Sequence, residues 1–217
     1  MFHDRIEAGK KLSGRLMHLR DENPIVFGLA RGGVVVAAPV ARALDTALDV
    51  LVVRKIGDPT QPELALGAVM DGPTPHIALN LDLIASINVD AEFIEAESLR
   101  QLQEVRKQNE RFRRDRPLAQ VEGRTAIVID DGIATGATVQ VAIEGLRQRG
   151  PKRIVLAIPV APPDTVRRFE AMVDEVVCLH SPESFMAVGF FYEIFDQTTD
   201  DEVVQLLDQY QSVVNRP

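Results

Sequence analysis

The stretch from Ala126 to Thr138 reads AIVIDDGIATGAT and is the most informative part of this chain. Four apolar residues, typical of a buried strand, run directly into the acidic pair Asp130 and Asp131, and a turn of small residues then opens a helix. In open α/β sheets, ligands bind at this carboxyl edge of the strands. The backbone N–H groups of such a turn form an anion-binding nest, which the helix dipole strengthens.

The side chains of this stretch indicate a ligand with two chemically different parts. Thr135 and Thr138 add hydroxyl donors to the nest, and Gly136 lets the backbone approach a phosphate closely. The paired carboxylates would repel a phosphate, but they accept hydrogen bonds from sugar hydroxyls or bind a divalent metal. A phosphate nest beside two such acceptors describes a site for ribose 5-phosphate.

Length and composition set the wider limits. The chain has 217 residues, of which 46% are hydrophobic and 26% charged, as expected for one α/β domain with a small appendage. A single Cys excludes an intramolecular disulfide and favours a reducing, cytoplasmic location. The apolar runs are too short to span a bilayer, and the net charge of −8 disfavours a broad nucleic-acid surface. We therefore expect neither a membrane nor a nucleic-acid partner.

Strand-like and helix-like segments alternate along the sequence. This order predicts a twisted, mostly parallel sheet flanked by helices. The predicted strands are 25–29, 48–54, 64–70, 76–80, 126–129, 153–159 and 173–179, and the predicted helices are 4–20, 34–44, 90–116, 135–149, 163–172 and 200–214.

The 13 residues from Ala126 to Thr138 resemble the signature of the type I phosphoribosyltransferases. That signature consists of an apolar strand, an acidic pair and a loop that contains Thr-Gly. The resemblance implies that Asp130 and Asp131 hold the ribose hydroxyls of phosphoribosyl pyrophosphate, directly or through Mg²⁺-bound water. It assigns the 5-phosphate cradle to Ile133, Ala134, Thr135, Gly136, Ala137 and Thr138. The alternative, an incidental turn, would leave two adjacent carboxylates uncompensated at a strand end.

A second stretch fits the same family. Residues 28–33 read GLARGG and resemble its pyrophosphate loop, whose backbone amides hold the leaving group. On this reading Ala30, Arg31, Gly32 and Gly33 bind pyrophosphate, and Arg31 adds positive charge. The alternative is a turn that serves packing alone.

Two cations follow the next predicted strand. Arg54 and Lys55 resemble the Arg-Lys pair that precedes the mobile active-site loop of adenine and orotate phosphoribosyltransferases. They would neutralise charge on the departing pyrophosphate, and the loop through Pro62 and Glu63 would exclude water. An exposed basic strand end is the alternative.

The acceptor side is less well defined. Five of the eleven aromatic residues lie within residues 185–195, and Phe185 matches the base-stacking Phe of the hypoxanthine-type hood. One extra residue before Val188 and Gly189 departs from that pattern, so the rings are equally consistent with a small core that fastens the C-terminal helix. Ala134 occupies the place of the hypoxanthine-type loop Asp, as in adenine-type enzymes, so a loop carboxylate cannot accept the acceptor's proton.

These features together resemble a bacterial group of predicted phosphoribosyltransferases whose acceptor is undefined. We expect one domain over 1–217, with a helical insertion at 80–120 and a C-terminal hood and helix at 180–217. The implied reaction is Mg²⁺-dependent pentosyl transfer from phosphoribosyl pyrophosphate to an unidentified nitrogenous acceptor, as in nucleotide metabolism. The rival is a non-catalytic regulatory protein that binds phosphoribosyl pyrophosphate or a nucleotide. A homodimer is left open, and the seven basic residues of 100–116 indicate a solvated helix face or a surface for an anionic partner.

Overall fold

The computed structural model describes residues 1–61, 64–87, 89–114 and 116–214, with the side chains of 211–214 outside that description. Its strands are β1 (Pro24–Leu29), β2 (Leu48–Leu51), β3 (Val53–Gly57), β4 (Ala65–Met70), β5 (His76–Leu79), β6 (Thr125–Ile129), β7 (Arg153–Val160) and β8 (Glu175–His180). Its α-helices are α1 (Arg5–Leu16), α2 (Gly32–Leu44), α3 (Leu81–Ile87), α4 (Ala91–Arg113), α5 (Ala137–Arg147), α6 (Pro163–Glu170) and α7 (Asp200–Val214). Within these ranges no helix is both long and apolar enough to cross a membrane.

The main sheet has five parallel strands in the order β2-β1-β6-β7-β8, and helices cover both of its faces. The predicted fold class is therefore confirmed. Side chains alternate across the central strands, so Ile25 and Phe27 enter one apolar cluster while Val26 enters the other. These near-continuous apolar runs are what a sheet buried on both faces requires.

A smaller antiparallel sheet, in the order β3-β4-β5, stands beside the main one. The prediction of one strand over 48–54 was wrong, because the chain leaves the parallel sheet at Val52 and β3 pairs with β4 instead. The apolar pattern continues through Val52 and conceals this break, since Val52 is buried in the core. The helix α3 was not predicted, and the loop residues Pro62 and Glu63 lie outside the described residues.

The inserted helix α4 is part of the core rather than an appendage. Its buried face includes Leu102, Val105 and Phe112, and the last two join the cluster formed by α1, α2, α7 and one face of the main sheet. The predicted end at Arg116 is slightly too late, because Arg114 adopts φ 51° and terminates the helix.

Strand register brings the two motif loops together. β1 and β6 are neighbours, and Gly28 is opposite Ile129. The chain leaves both strands at the same carboxyl edge, so the loop after β1 and the acidic pair after β6 are adjacent there.

Candidate functional site

The acidic pair after β6 is held by three partners. The backbone N–H of Asp131 donates to Oδ1 of Asp130 at 2.9 Å, and Nε of Arg5 donates to Oδ2 of Asp131 at 2.7 Å. The hydroxyl of Tyr192 donates to the backbone oxygen of Asp131 at 2.5 Å. A helix start, a strand end and a C-terminal segment thus converge on two consecutive residues.

Burial dominates the electrostatics of this pair. The pKa of Asp130 is raised well above its ordinary value, first by burial and then by the neighbouring charge of Asp131. Burial also raises the pKa of Asp131, although its ion pair with Arg5 opposes that shift. Burial raises the pKa of Tyr192 as well, so its hydroxyl stays protonated and remains a donor. Two largely buried carboxylates, which among the described residues share the one cation Arg5, are poised to interact with hydroxyl donors or a cation from a ligand.

The phosphate loop follows the acidic pair and ends at the first turn of α5. Gly136 is the N-cap residue and adopts φ 74°, where a Cβ would also come within 2.6 Å of the Phe169 ring. Thr165 Oγ1 donates to the backbone oxygen of Ala134 at 2.9 Å, and the Arg168 guanidinium donates to that of Thr135. These bonds engage the loop carbonyls, and the first N–H groups of α5 have no partner within the helix. The arrangement is a helix N-terminus suited to an anion.

The glycines after β1 are in contact with the acidic pair. A Cβ on Gly32 would lie 2.0 Å from Oδ2 of Asp131, and a Cβ on Gly33 would lie 2.6 Å from the backbone oxygen of Ile129. Ala30 and Arg31 precede them, and α2 begins at Gly32. Both glycines are therefore required for the two loops to approach this closely.

Arg54 and Lys55 are not brought together. They are consecutive residues of β3, so their side chains point to opposite faces of the small sheet. Nε of Arg54 donates to Oε1 of Gln101 on α4 at 2.7 Å, and Arg54 lines a cleft with Arg31. Lys55 is exposed on the other face and is not among the described residues that line this cleft.

The aromatic cluster consists of two groups. Phe185 is half-buried and stacks on Phe191 with ring centroids 5.2 Å apart, and Phe191 meets His180 edge-on. Tyr192 packs between Phe2 and Phe195. The rings fasten the N-terminal segment, since Phe2 and Ala8 share their small core, whereas α7 packs on α2, α4 and β2.

Arg5 and Tyr192 are the site residues that motif reasoning missed. Arg5 is the first residue of α1, and its guanidinium also stacks on Phe195 at 3.8 Å and donates to the backbone oxygen of Asp196 at 2.8 Å. Neither residue belongs to a contiguous motif, so no local pattern indicates its role. The clustering of aromatic residues was the one sequence signal that included Tyr192, and it did not indicate that Tyr192 contacts Asp131.

The basic tract of 100–116 is compensated by acids. Each of its seven cations has a carboxylate partner within 4 Å: Arg100, Arg106, Lys107, Arg111, Arg113, Arg114 and Arg116. Arg113 is largely buried against Asp49 of β2, where Nε donates to Oδ1 at 3.0 Å. The tract is thus partly an anchor for α4 and is not a free basic surface.

Comparison with known proteins agrees with this geometry. A family model described as the phosphoribosyl transferase domain matches residues 3–190. The structure is similar to the crystal structure of Thermus thermophilus TT1426, with a TM-score of 0.82, 44% identity, and coverage of 97% of this chain and 99% of that one.

Two curated relatives extend the comparison. The chain is 48% identical over 209 residues to Rv0571c of Mycobacterium tuberculosis, whose assignment as a phosphoribosyl transferase is itself a prediction. That match covers 96% of this chain and 47% of the relative, so the chain spans about half the length of the curated relatives it matches. A uracil phosphoribosyltransferase of Lactobacillus gasseri is 36% identical over 74 residues, covering 33% of this chain and 35% of that protein.

An acidic pair beside two glycine-rich loops, on a parallel sheet of this topology, defines a phosphoribosyltransferase fold. The chain belongs to the phosphoribosyltransferase family.

Proposed function

We propose that this protein transfers ribose 5-phosphate from phosphoribosyl pyrophosphate to a nitrogenous acceptor and releases pyrophosphate. The observation that carries the proposal is the contact between the loop at residues 30–33 and the acidic pair, with Gly32 directly against the Asp131 carboxylate. A site that recognised only ribose 5-phosphate would need no second anion loop at this distance from the ribose acceptors.

On this proposal, different groups of residues bind the three parts of phosphoribosyl pyrophosphate. Residues 133–138 cradle the 5-phosphate through backbone amides and the hydroxyls of Thr135 and Thr138. Asp130 and Asp131 accept hydrogen bonds from the ribose hydroxyls. The loop from Ala30 to Gly33 holds the pyrophosphate through backbone amides, and Arg31 and Arg54 neutralise the charge that develops as it leaves. Lys55 can contribute to this neutralisation only if β3 or the loop that follows it rearranges around the substrate.

The acidic pair also suits Mg²⁺. This ion prefers oxygen ligands, which the carboxylates of Asp130 and Asp131 would supply directly or through water. Mg²⁺ is bound in this manner, through one or two carboxylates with substrate phosphates and water completing its shell. When bound, the ion would supply charge neutralisation to the pyrophosphate and ribose oxygens.

Catalysis on this proposal consists of positioning and leaving-group stabilisation. On this proposal no covalent intermediate with a side chain is formed, and Ala134 stands where a loop carboxylate would accept the proton. Phe185 is proposed to contact a flat acceptor, because its ring is half-exposed and backed by Phe191. The acceptor's identity is left to a substrate screen.

Calorimetry with phosphoribosyl pyrophosphate and Mg²⁺ tests the substrate. We expect the wild type to bind, and Asp130→Asn and Asp131→Asn to bind at least about tenfold more weakly, because each loses an ionised acceptor for the ribose hydroxyls. Asp21→Asn is the matched control, since Asp21 is exposed and lies just before the amino end of β1, at the opposite end of the main sheet from the site.

A second assay separates an enzyme from a sensor. Pyrophosphate release is measured across a panel of purine, pyrimidine and other nitrogen bases. No binding of phosphoribosyl pyrophosphate by the wild type would refute the proposal. Tight binding without release for any base would favour the regulatory alternative.

A further inference from the structure

The inserted helix α4 presents a stripe of polar residues to the pyrophosphate side of the site. Glu104, Lys107, Gln108 and Arg111 are spaced by three or four residues and therefore share one helix face. That face forms one wall of a cleft of about 490 Å³. The opposite wall is made by Ala30 and Arg31 together with Val53 and Arg54 of β3, and Asp200 closes one end. One wall is therefore the proposed pyrophosphate loop itself.

The cleft carries an excess of positive charge. Four of its lining side chains are cationic, namely Arg31, Arg54, Lys107 and Arg111, whereas two are acidic, Glu104 and Asp200. These cations come from three different parts of the chain, because Arg31 and Arg54 are brought by tertiary packing to the helix face that carries Lys107 and Arg111. A polyanion is the ligand that such a cleft favours.

In the structure, a carboxylate of the protein itself is bound between two of these cations. Asp200, the first residue of α7, accepts a bond from Nη1 of Arg111 at 2.7 Å and a longer one from Nη1 of Arg31 at 3.5 Å. One carboxyl group thus bridges the pyrophosphate loop and the inserted helix. Guanidinium groups that converge on a carboxylate have the geometry and charge to converge on a phosphate.

The position of the cleft relates it to the ribose site. Arg31 lines the cleft, and the next residue, Gly32, is directly against the carboxylate of Asp131. A diphosphate extending from the ribose acceptors along the loop would pass into the cleft. Larger clefts of about 750 and 570 Å³ occur elsewhere, but neither is lined by the pyrophosphate loop or the acidic pair.

We propose that the inserted helix supplies part of the pyrophosphate site. Lys107 and Arg111 bind the diphosphate together with Arg31 and Arg54. The incoming ligand displaces Asp200 from the two arginines, and it also replaces the contacts of Arg111 with Asp201 and of Lys107 with Glu104. This inference rests on the proposed function and extends it to residues of the insertion. It gives the site a cationic wall carried by a helix that is anchored in the core.

The test is calorimetry with inorganic pyrophosphate and Mg²⁺, in the presence of saturating ribose 5-phosphate so that the 5-phosphate nest is filled. The variant Lys107→Gln/Arg111→Gln should bind pyrophosphate at least about tenfold more weakly, while its affinity for ribose 5-phosphate stays within about twofold. Arg100→Gln/Arg106→Gln is the matched control, because it removes two cations of the same helix that pair with Glu97 and Asp71 outside the cleft. Its affinity for pyrophosphate should match the wild type.

Asp200→Asn provides an independent test of displacement. Removing the competing carboxylate should tighten pyrophosphate binding by about threefold or more. Weaker binding by this variant would overturn the displacement step.

The remaining outcomes separate the two proposals. Equal pyrophosphate affinity in the Lys107/Arg111 variant and its control, or no pyrophosphate binding by a wild type that binds ribose 5-phosphate, would overturn the role of α4 alone. A wild type that binds neither ribose 5-phosphate nor phosphoribosyl pyrophosphate would overturn the proposed function itself.

Discussion

At the scale of single residues, Asp130 is in conflict with its surroundings. It is largely buried beside a second carboxylate, and among the described residues the compensating charge comes from Arg5, whose ion pair is with Asp131. An arrangement that disfavours the ionised form of a group is typical of a functional site, where ligand binding supplies the missing interaction. Stability and function therefore make opposite demands on this side chain.

Asp130→Asn is accordingly expected to stabilise the free protein at neutral pH while weakening substrate binding. The amide oxygen can still accept the bond from the N–H of Asp131, and the buried charge is removed. Because the pKa of Asp130 is raised in the folded protein, the folded chain holds its proton more tightly than the unfolded chain does. The wild type thus loses stability as pH rises above the ordinary Asp pKa, whereas the variant avoids that loss.

Thermal unfolding in the absence of ligand, followed from pH 4 to pH 8, measures this effect. A gain of about 1 kcal/mol would raise Tm by roughly 2–4 °C in a domain of this size. The gain should shrink toward pH 4, where the carboxyl is increasingly protonated in both folded and unfolded chains. Destabilisation at pH 8 would contradict this account, and the control Asp21→Asn, at an exposed residue before β1, should leave Tm unchanged at both ends of the range.

At the scale of elements, the parts of the site that the sequence predicts are those built from contiguous residues. The strand, acidic pair and loop of 126–138 form one segment, and the loop of 28–33 forms another, so local pattern was sufficient for both. Arg5 and Tyr192 are distant in sequence and reach Asp131 because the N-terminal segment packs on residues 191–194, through the ring contact of Phe2 with Tyr192 and through backbone hydrogen bonds. The break at Val52 was missed because Leu51, Val52 and Val53 are all apolar, so the apolar run is continuous across it.

Gly33→Ala tests how tightly the two loops must meet. Its Cβ would lie 2.6 Å from the backbone oxygen of Ile129 and 3.0 Å from Cα of Asp130, so β6 or the start of α2 would have to move. We expect a loss of about 1–3 kcal/mol in unfolding free energy and at least tenfold weaker binding of phosphoribosyl pyrophosphate. Urea denaturation and calorimetry measure the two effects.

Gly14→Ala serves as the control for that substitution. A Cβ on Gly14 would meet no other atom within 4 Å, and the residue lies inside α1. Alanine should therefore stabilise the protein by about 0.5–1 kcal/mol and leave ligand binding unchanged. Full ligand affinity in Gly33→Ala would show that the contact between the loops is dispensable.

At the scale of the whole molecule, the segment of residues 80–120 divides into α3, which packs on the edge of the core, and α4, which enters it. The helix α3 has no buried residue among those described, whereas α4 buries Val105 and Phe112 completely. The end of α4 is further held by the largely buried pair of Arg113 and Asp49, and Asp49 also accepts from the N–H of Ala119 at 3.1 Å. A helix fixed in this way can hold Lys107 and Arg111 in a constant position relative to the pyrophosphate loop.

Native-state hydrogen exchange should resolve this division. Amides in the second half of α4 are expected to exchange only with global unfolding, as those of β1 and β6 do, while amides of α3 exchange through local opening. Phe112→Ala should lower the unfolding free energy by about 3–5 kcal/mol and reduce protection in α4 and the main sheet equally. Leu81→Ala, at a side chain of α3 that is 69% exposed, is the control and should change neither. If α4 exchanged as fast as α3, the helix would be an independent appendage, and its cations could not form a fixed wall of the site.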